Sequence, residues 1–458
     1  MRGCRDDRRV TTTHHRTTAP RSRSLTLLAL SHACVDVYQG AVAALVPFFV
    51  SERAYTYAAA SGIVLAASLL SSVIQPLFGA LTDRWALPWL LPVSTVIGGV
   101  GVALSGIAGS YALTLVVVAV SGIGVAAYHP EAARVARRAS RGSHTGMGWF
   151  SLGGNLGFAA APLMVSAVIT TGGLHASPLL AVPAAAGAAL CTAALRAMRA
   201  REAGATTAAG ASVTVAATAT GVFPAVVGDR NATACRPDDV AGSRDDWASF
   251  GKLSGAIVCR SIVFVGLSAF ISLYVRQRTG GGEVSGTAAL FVLYLGGAVG
   301  TVAGGKLAGH YGRVRVVQWS YALTVLAVAG VVLVPGPLLY VLVALTSAGL
   351  YVPFSLHVTL GQDYLPRRVG TASGVTLGLT VSIGGIASPL LGALADATSL
   401  RTALSPLIAL PALGWLLLRT LPEPAMPEGI AGASPSGTAS PTTAAERRLR
   451  SGDGMMGG

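Results

Sequence analysis

The sequence predicts an all-α membrane protein of twelve transmembrane helices in two six-helix halves. Three observations predict it. Twelve long apolar runs fill most of the 458 residues, and a run of ~20 apolar residues spans the hydrocarbon core as a helix, which satisfies its own backbone without water. Charged residues make up only 11% of the chain against 52% hydrophobic, where a soluble domain carries about 25% charge. The basic residues sit in the short links between runs and fall on alternate sides.

The runs place helices at 24–50, 57–82, 87–108, 110–136, 144–170 and 176–197, then at 251–275, 284–308, 314–334, 337–360, 368–395 and 400–419. The third and fourth are parted by Gly109-Ser110, the ninth and tenth by Pro335-Gly336-Pro337. With residues 1–23 as a cytoplasmic tail, the inner side holds 28 of the 33 Lys and Arg. The outer side holds four (Arg53, Arg276, Arg278 and Arg401), and Arg260 lies inside helix 7. Inner loops carry the Lys/Arg excess, so both termini are expected in the cytoplasm. The N-terminal apolar run is too long for a signal peptide and lacks its cleavage site.

The first half is expected over 24–197 and the second over 251–419. Residues 198–250, rich in Ala and Thr and then in charge, read as a flexible cytoplasmic linker, and 420–458 as a disordered tail. The net charge of +14 does not point to nucleic acid, because no single soluble face carries it. Cys4, Cys34, Cys191, Cys235 and Cys259 are scattered without metal or CxxC spacing, so unpaired thiols are expected and neither metal nor cofactor. Asn231-Ala232-Thr233 matches a glycosylation triplet on the wrong side for use. No nucleotide loop, HExxH pair or nucleophile elbow appears, which argues against an enzyme and against ATP-driven transport.

A shift of 227 residues lays Gly122 on Gly349, Arg141 on Arg368, Gly157 on Gly384 and Pro162 on Pro389. Parallel six-helix repeats with a central site at mid-membrane build the major facilitator fold. The link Gly79-Ala80-Leu81-Thr82-Asp83-Arg84 resembles that family's G-x-x-x-D-R signature. The resemblance implies a gate: Gly79, Asp83 and Arg84 would latch one state, with the carboxylate capping a neighbouring helix start. The plain alternative is a solvated link. Copies recur at Gly305–Arg313, where Gly309 replaces the Asp, and at Gly392–Asp396, at an end that faces out.

Further strings resemble the fosmidomycin resistance group of that superfamily: Ser31–Gly40, Gln75–Gly79, Tyr128-His129-Pro130-Glu131-Ala132 and Gly153-Gly154-Asn155-Leu156-Gly157. The last also resembles the antiporter motif of drug exporters, with Ala161 before Pro162 where Gly is usual. Close helix packing explains the small residues equally well. The resemblance implies proton-driven export of a small drug or metabolite. A proton-linked importer of organic anions and a non-transporting sensor remain as alternatives. A small-molecule substrate, protons and the lipid bilayer are the expected partners, and a monomer the expected state.

Physical chemistry singles out the ionisable residues in the runs. His32 and Asp36 share one helix face. Asp36 lies ~18 Å into helix 1, where a charge costs ~2.5–3.5 kcal/mol on insertion scales. It therefore exchanges protons, with His32 tuning it, or serves as a structural pair. His129 and Glu131 flank Pro130 near the inner end of helix 4. Glu131 is a second proton group or simply pairs with Arg134 at i+3. Arg260, ~14 Å into helix 7, binds an anionic substrate, bridges to Asp36, or snorkels to the surface. Gln75, Asn155, Tyr38 and Tyr128 are candidate pocket donors, and His357 and Asp363 are expected to be structural.

Overall fold

A computed structural model describes residues 23–140, 144–220 and 244–424. Every regular element among them is helical. In order they are α1 (Arg23–Arg53), α2 (Tyr57–Arg84), α3 (Leu90–Ser105), α4 (Tyr111–Ala139), α5 (His144–Gly172) and α6 (Val182–Thr220). Then follow α7 (Trp247–Thr279), α8 (Gly282–Tyr311), α9 (Arg313–Leu333), α10 (Leu338–Tyr351), α11 (Phe354–Tyr364), α12 (Val369–Ala397), α13 (Leu400–Leu404) and α14 (Ala409–Leu418). Eleven described spans are long and apolar enough to cross a membrane; α10 with α11 counts as one, and so does Leu400–Leu418. The short α3 is the twelfth. Its 16 residues reach ~24 Å, and the exposed Trp85 and Trp89 flank its start, as aromatic side chains do at a membrane interface.

Local sequence sets the ends. Thr56, Ser110, Asp246 and Ser399 each accept a backbone N–H of the helix they precede, which satisfies one orphan donor per helix. Gly280 closes α7 in the left-handed region at φ 64°, and Gly336 turns the chain before α10 at φ 86°, conformations that favour glycine. The expected tenth helix is split instead into α10 and α11. Pro353 lacks an N–H and ends the ladder there. The last span is likewise cut by a 3-10 turn, Ser405–Ile408, which holds Pro406.

The expected linker is partly ordered, a correction to the reading of 198–250. Helix α6 runs to Thr220, because alanine, its commonest residue, is the strongest helix former even outside lipid. The later part of that segment, with Cys235 and the Asn231 triplet, lies outside the described residues, as do Cys4, Arg141 and nearly all of the expected tail. Cys34, Cys191 and Cys259 are free thiols.

Helix α1 packs most closely on α5, α2 on α4 and α12, and α7 on α12, while α5 meets α8 across the two halves. Glycine makes the tightest of these contacts. A Cβ on Gly157 would stand 2.0 Å from the Ala33 carbonyl oxygen, and one on Gly384 would stand 2.3 Å from that of Ser261. The 227-residue repeat thus marks the same close approach twice, α5 on α1 and α12 on α7. Large apolar side chains such as Leu326, Leu390 and Val299 stay 65–73% exposed on the outer surface. Such a surface suits lipid contact.

Candidate functional site: a His–Asp–His cluster beside a central cavity

The cluster begins on α1. His32 and Asp36 lie one turn apart, with His32 Nε2 3.2 Å from Asp36 Oδ2. From α4, His129 Nε2 comes within 3.1 Å of Asp36 Oδ1. One carboxylate thus faces two imidazoles, one per oxygen. The three groups lie within 4.8 Å of one another, close enough to share one bound cation, a proton included. His32 stacks on Phe150 with ring centroids 4.2 Å apart. A Cβ on Gly154 would sit 2.4 Å from Asp36 Oδ2 and 2.6 Å from His32 Cε1, so α5 must present glycine there.

The remaining ring nitrogens fix the chemistry. Nδ1 of His32 lies 2.9 Å from the Phe150 carbonyl oxygen, and Nδ1 of His129 lies 2.8 Å from that of Val125. A carbonyl only accepts, so both Nδ1 atoms carry hydrogen. Nε2 then bears a hydrogen only when the ring is a full imidazolium. With neutral rings, two lone pairs would face a buried carboxylate. The contacts to Asp36 also miss hydrogen-bond alignment, and Oδ1 of Asp36 and Nε2 of His32 have no hydrogen-bond partner. Adding or removing protons therefore changes the attraction between α1 and α4.

A cavity of about 920 Å³, counting its open mouth, lies next along α1. Gln39, Ser68, Ser71, Gln75, Ser121 and Ser268 supply its polar lining. The rings of Tyr38, Phe158, Phe264 and Tyr294 supply much of the rest. Val125 belongs to both places: it lines the cavity and its carbonyl anchors His129. Gln39 is three residues past Asp36, on a neighbouring stretch of the same face.

Of the expected site residues, Asp36, His32 and His129 come together, and Tyr38 and Gln75 reach the cavity. Tyr38 does so by its ring, since its hydroxyl donates to the Leu180 carbonyl. The others go elsewhere. Glu131 is fully buried and pairs with Arg134 through both oxygens, well served without the cluster. Tyr128 shares a 2.7 Å hydrogen bond with Ser31 and backs the cluster rather than lining the cavity. Asn155 is half-buried outside the lining. Arg260 reaches neither the cavity nor Asp36, nor does it snorkel. It is 3% exposed, donates to the Leu350 carbonyl at 2.8 Å and lies 5.6 Å from the Phe354 ring centroid. The broken helix at Pro353 explains the draw, because carbonyls near a break have lost their helical donors. Asp363 pairs with Arg313 at 2.5 Å, and His357 is buried near Arg260 and Tyr321.

The Gly79 signature lies in the last turns of α2. A side chain at Gly79 would meet nothing within 4 Å, Arg84 is exposed, and the side chain of Asp83 lies outside the described residues. A carboxylate cap does exist, at the opposite end of α2. Asp396, at the end of α12, accepts the backbone N–H of Tyr57 at 2.8 Å and of Ala58 at 2.9 Å. Gln277 of α7 adds a 3.1 Å bond to the Tyr57 hydroxyl. This clasp ties α2 to α7 and α12 on the face where α1 ends.

Comparison with known proteins agrees with this architecture. The Major Facilitator Superfamily profile matches residues 28–389. The chain belongs to the Major Facilitator Superfamily. Members are transporters rather than enzymes, and this is a multi-pass membrane transporter. It is 28% identical over 402 residues to the fosmidomycin resistance protein of Escherichia coli (strain K12), covering 85% of this chain and 91% of that protein. It is also 28% identical over 395 residues to the uncharacterized MFS-type transporter YfnC of Bacillus subtilis (strain 168), covering 86% and 91%. Among solved structures, a bacterial homolog of the human lysosomal transporter Spinster superposes with a TM-score of 0.66 at 16% identity, over 88% of this chain and 98% of that one. The nucleoside transporter NupG superposes at 0.63 with 13% identity, over 86% and 98%. These two speak for the fold.

Sequence reasoning missed Gln39, Phe158, Phe264, Ser268 and Tyr294. For Gln39 a signal was present: it is a lone amide in an apolar run, on the face of Asp36. The aromatic residues gave none, because apolar residues occur on every face of a membrane helix.

Proposed function

We propose that this transporter exports a small drug or metabolite in exchange for protons, by alternating access around the central cavity. Both termini lie in the cytoplasm of a bacterial plasma membrane in this reading, as the 28-to-4 division of basic residues supports. The name of the 28% identical Escherichia coli relative supports export. The observation that carries proton coupling is the meeting of Asp36 with His32 and His129 at mid-helix, beside the cavity and with both Nδ1 atoms already committed as donors.

Protons entering from outside convert the imidazoles to imidazolium. Each then directs an Nε2–H at Asp36 and draws α4 toward α1. Loss of protons to the inside leaves lone pairs against the carboxylate, and α4 is released. Because Val125 and Gln39 stand on the cavity wall, that movement alters the substrate's surroundings. The Asp396 clasp holds the outer face in this reading, and Asp83 would serve the inner one.

The test uses everted vesicles with an imposed pH gradient. Asp36→Asn should abolish gradient-driven accumulation while downhill exchange continues. Gradient-driven transport at the wild-type rate in that variant would refute the coupling role.

A further inference from the structure

We infer that the cargo is an uncharged molecule with an apolar body and hydrogen-bonding groups, and not a phosphonate or carboxylate. The inference rests on reading the central cavity as the transport route. Three observations support it.

First, none of the eighteen residues lining the cavity carries a charge. Neighbouring positions whose side chains lie outside the described residues, Ser72, Val73, Leu377, Val381 and Ser382, are uncharged by sequence. An anion stripped of water needs a cation or several convergent N–H groups to replace its hydration. The lining offers no cation, and its side-chain N–H donors are the amides of Gln39 and Gln75 alone.

Second, the cation that could have served is spent elsewhere. Arg260 lines a separate small pocket with Tyr321, Thr324, Gly349 and Leu350, and its Nη1 donates to the Leu350 carbonyl. The nearest ionisable group along α1 is Asp36, whose two oxygens already face His32 and His129.

Third, the polar lining suits a neutral partner. The amides of Gln39 and Gln75 have no partner among the described residues, so each offers both a donor and an acceptor. The hydroxyl of Ser121 donates to the Gly98 carbonyl, which leaves lone pairs for a ligand's donors. Phe158 and Tyr294, with centroids 4.2 Å apart, and Phe264 supply aromatic rings to the same lining.

The experiment uses the full chain in lipid nanodiscs at pH 7 and reads thermal stabilisation by four probes. Chloramphenicol and phenyl β-galactoside are uncharged; fosmidomycin and inorganic phosphate are anions. The expected result is a melting shift of several degrees with an uncharged probe and none with either anion. Gln39→Leu and Gln75→Leu, each checked for an unchanged melting point without ligand, should weaken that binding at least tenfold. Arg260→Met should leave it unchanged. Stabilisation by fosmidomycin or phosphate with neither uncharged probe active overturns the inference, and so does the absence of stabilisation by both uncharged probes. Everted vesicles separate this from the transport reading. An uncharged probe that binds but is not driven by a pH gradient leaves the inference standing and defeats proton-coupled export. Gradient-driven movement of fosmidomycin alone does the reverse.

Discussion

Asp36 and Arg260 are each the fourteenth residue of a helix, counting from Arg23 in α1 and from Trp247 in α7. The two helices also correspond under the internal repeat. Yet their ions live differently. Asp36 faces two imidazoles from two helices, groups able to gain or lose a proton. Arg260 donates to a backbone carbonyl and lies against an aromatic ring, and among the described residues no acidic side chain pairs with it. Depth in the membrane is therefore not what separates the two ions. In the proposed coupling, what sets Asp36 apart is a partner that can gain or lose a proton, held by a second helix.

Removing the carboxylate breaks the comparison most severely. In Asp36→Asn the two imidazoles lose their shared anion, and pH-gradient-driven flux should fall to background. His129→Gln should reduce it strongly while leaving α1 intact, since His129 is the arm from α4. Flux against a gradient in everted vesicles checks both. Similar losses from Arg260→Met would show that the two clusters are not different in kind.

The next largest effect is on packing. Gly157→Ala drives a methyl to 2.0 Å from the Ala33 carbonyl oxygen, and backbone cannot step aside cheaply. Overpacking of this kind costs about 1–3 kcal/mol. Gly154→Ala should cost less stability but more transport, because its methyl meets the movable Asp36 and His32 side chains. Thermal unfolding in detergent, set against flux, separates the two glycines.

Much of this is legible in the residues alone. Apolar length and link charge dictate the helix order, because lipid permits few alternatives. The pair His32–Asp36 follows from i, i+4 spacing. Its third member is reached only through the string around Pro130, since no local rule pairs α1 with α4. Arg260 eludes such reading because a linear pattern carries depth but not azimuth: half a turn decides between cavity and helix-bundle interior. The Asp396 motif is visible as a copy of the Gly79 signature at an outward-facing end. Its cap on α2 is not, because that depends on a contact between residues 339 positions apart.

Arg260→Met sharpens the contrast from the other side. Methionine keeps most of the length and removes a buried charge without an acidic partner among the described residues. Replacing buried charge by apolar volume is often neutral or stabilising, by ~1–4 kcal/mol where measured. Here the Leu350 carbonyl loses its donor, so a net change within about 2 kcal/mol is expected, with unaltered cargo choice. Chemical denaturation and the flux assay measure the two parts.

Asp396→Ala should act on opening rather than on chemistry. It removes two charge-assisted caps from the start of α2. Loss of a cap costs ~1 kcal/mol, which favours the open state of that face about fivefold. Maleimide labelling of a cysteine placed in the upper cavity wall should rise accordingly. Asp396→Asn, which retains an acceptor, should rise less.

The smallest effect concerns Asp246, outside the membrane spans. Its carboxylate accepts the Ser249 N–H at 3.0 Å, and hydrogen bonds from Ser249 hold its pKa below the usual carboxylate value. Its own N–H donates to the Tyr364 carbonyl at 2.7 Å, so the cap also fixes the start of α7 against the end of α11. A lowered folded-state pKa sets the sign: the stabilisation is complete above the unfolded value of ~3.9 and is lost as pH falls through the folded one. Asp246→Ala should thus lower the melting temperature by a constant amount between pH 5 and 8, by a share of the ~0.5–2 kcal/mol typical of caps. The gap between variant and parent should narrow below pH 4, where the parent's carboxylate protonates. A gap that stays constant down to pH 3 would assign the effect to helix propensity and not to the charged cap.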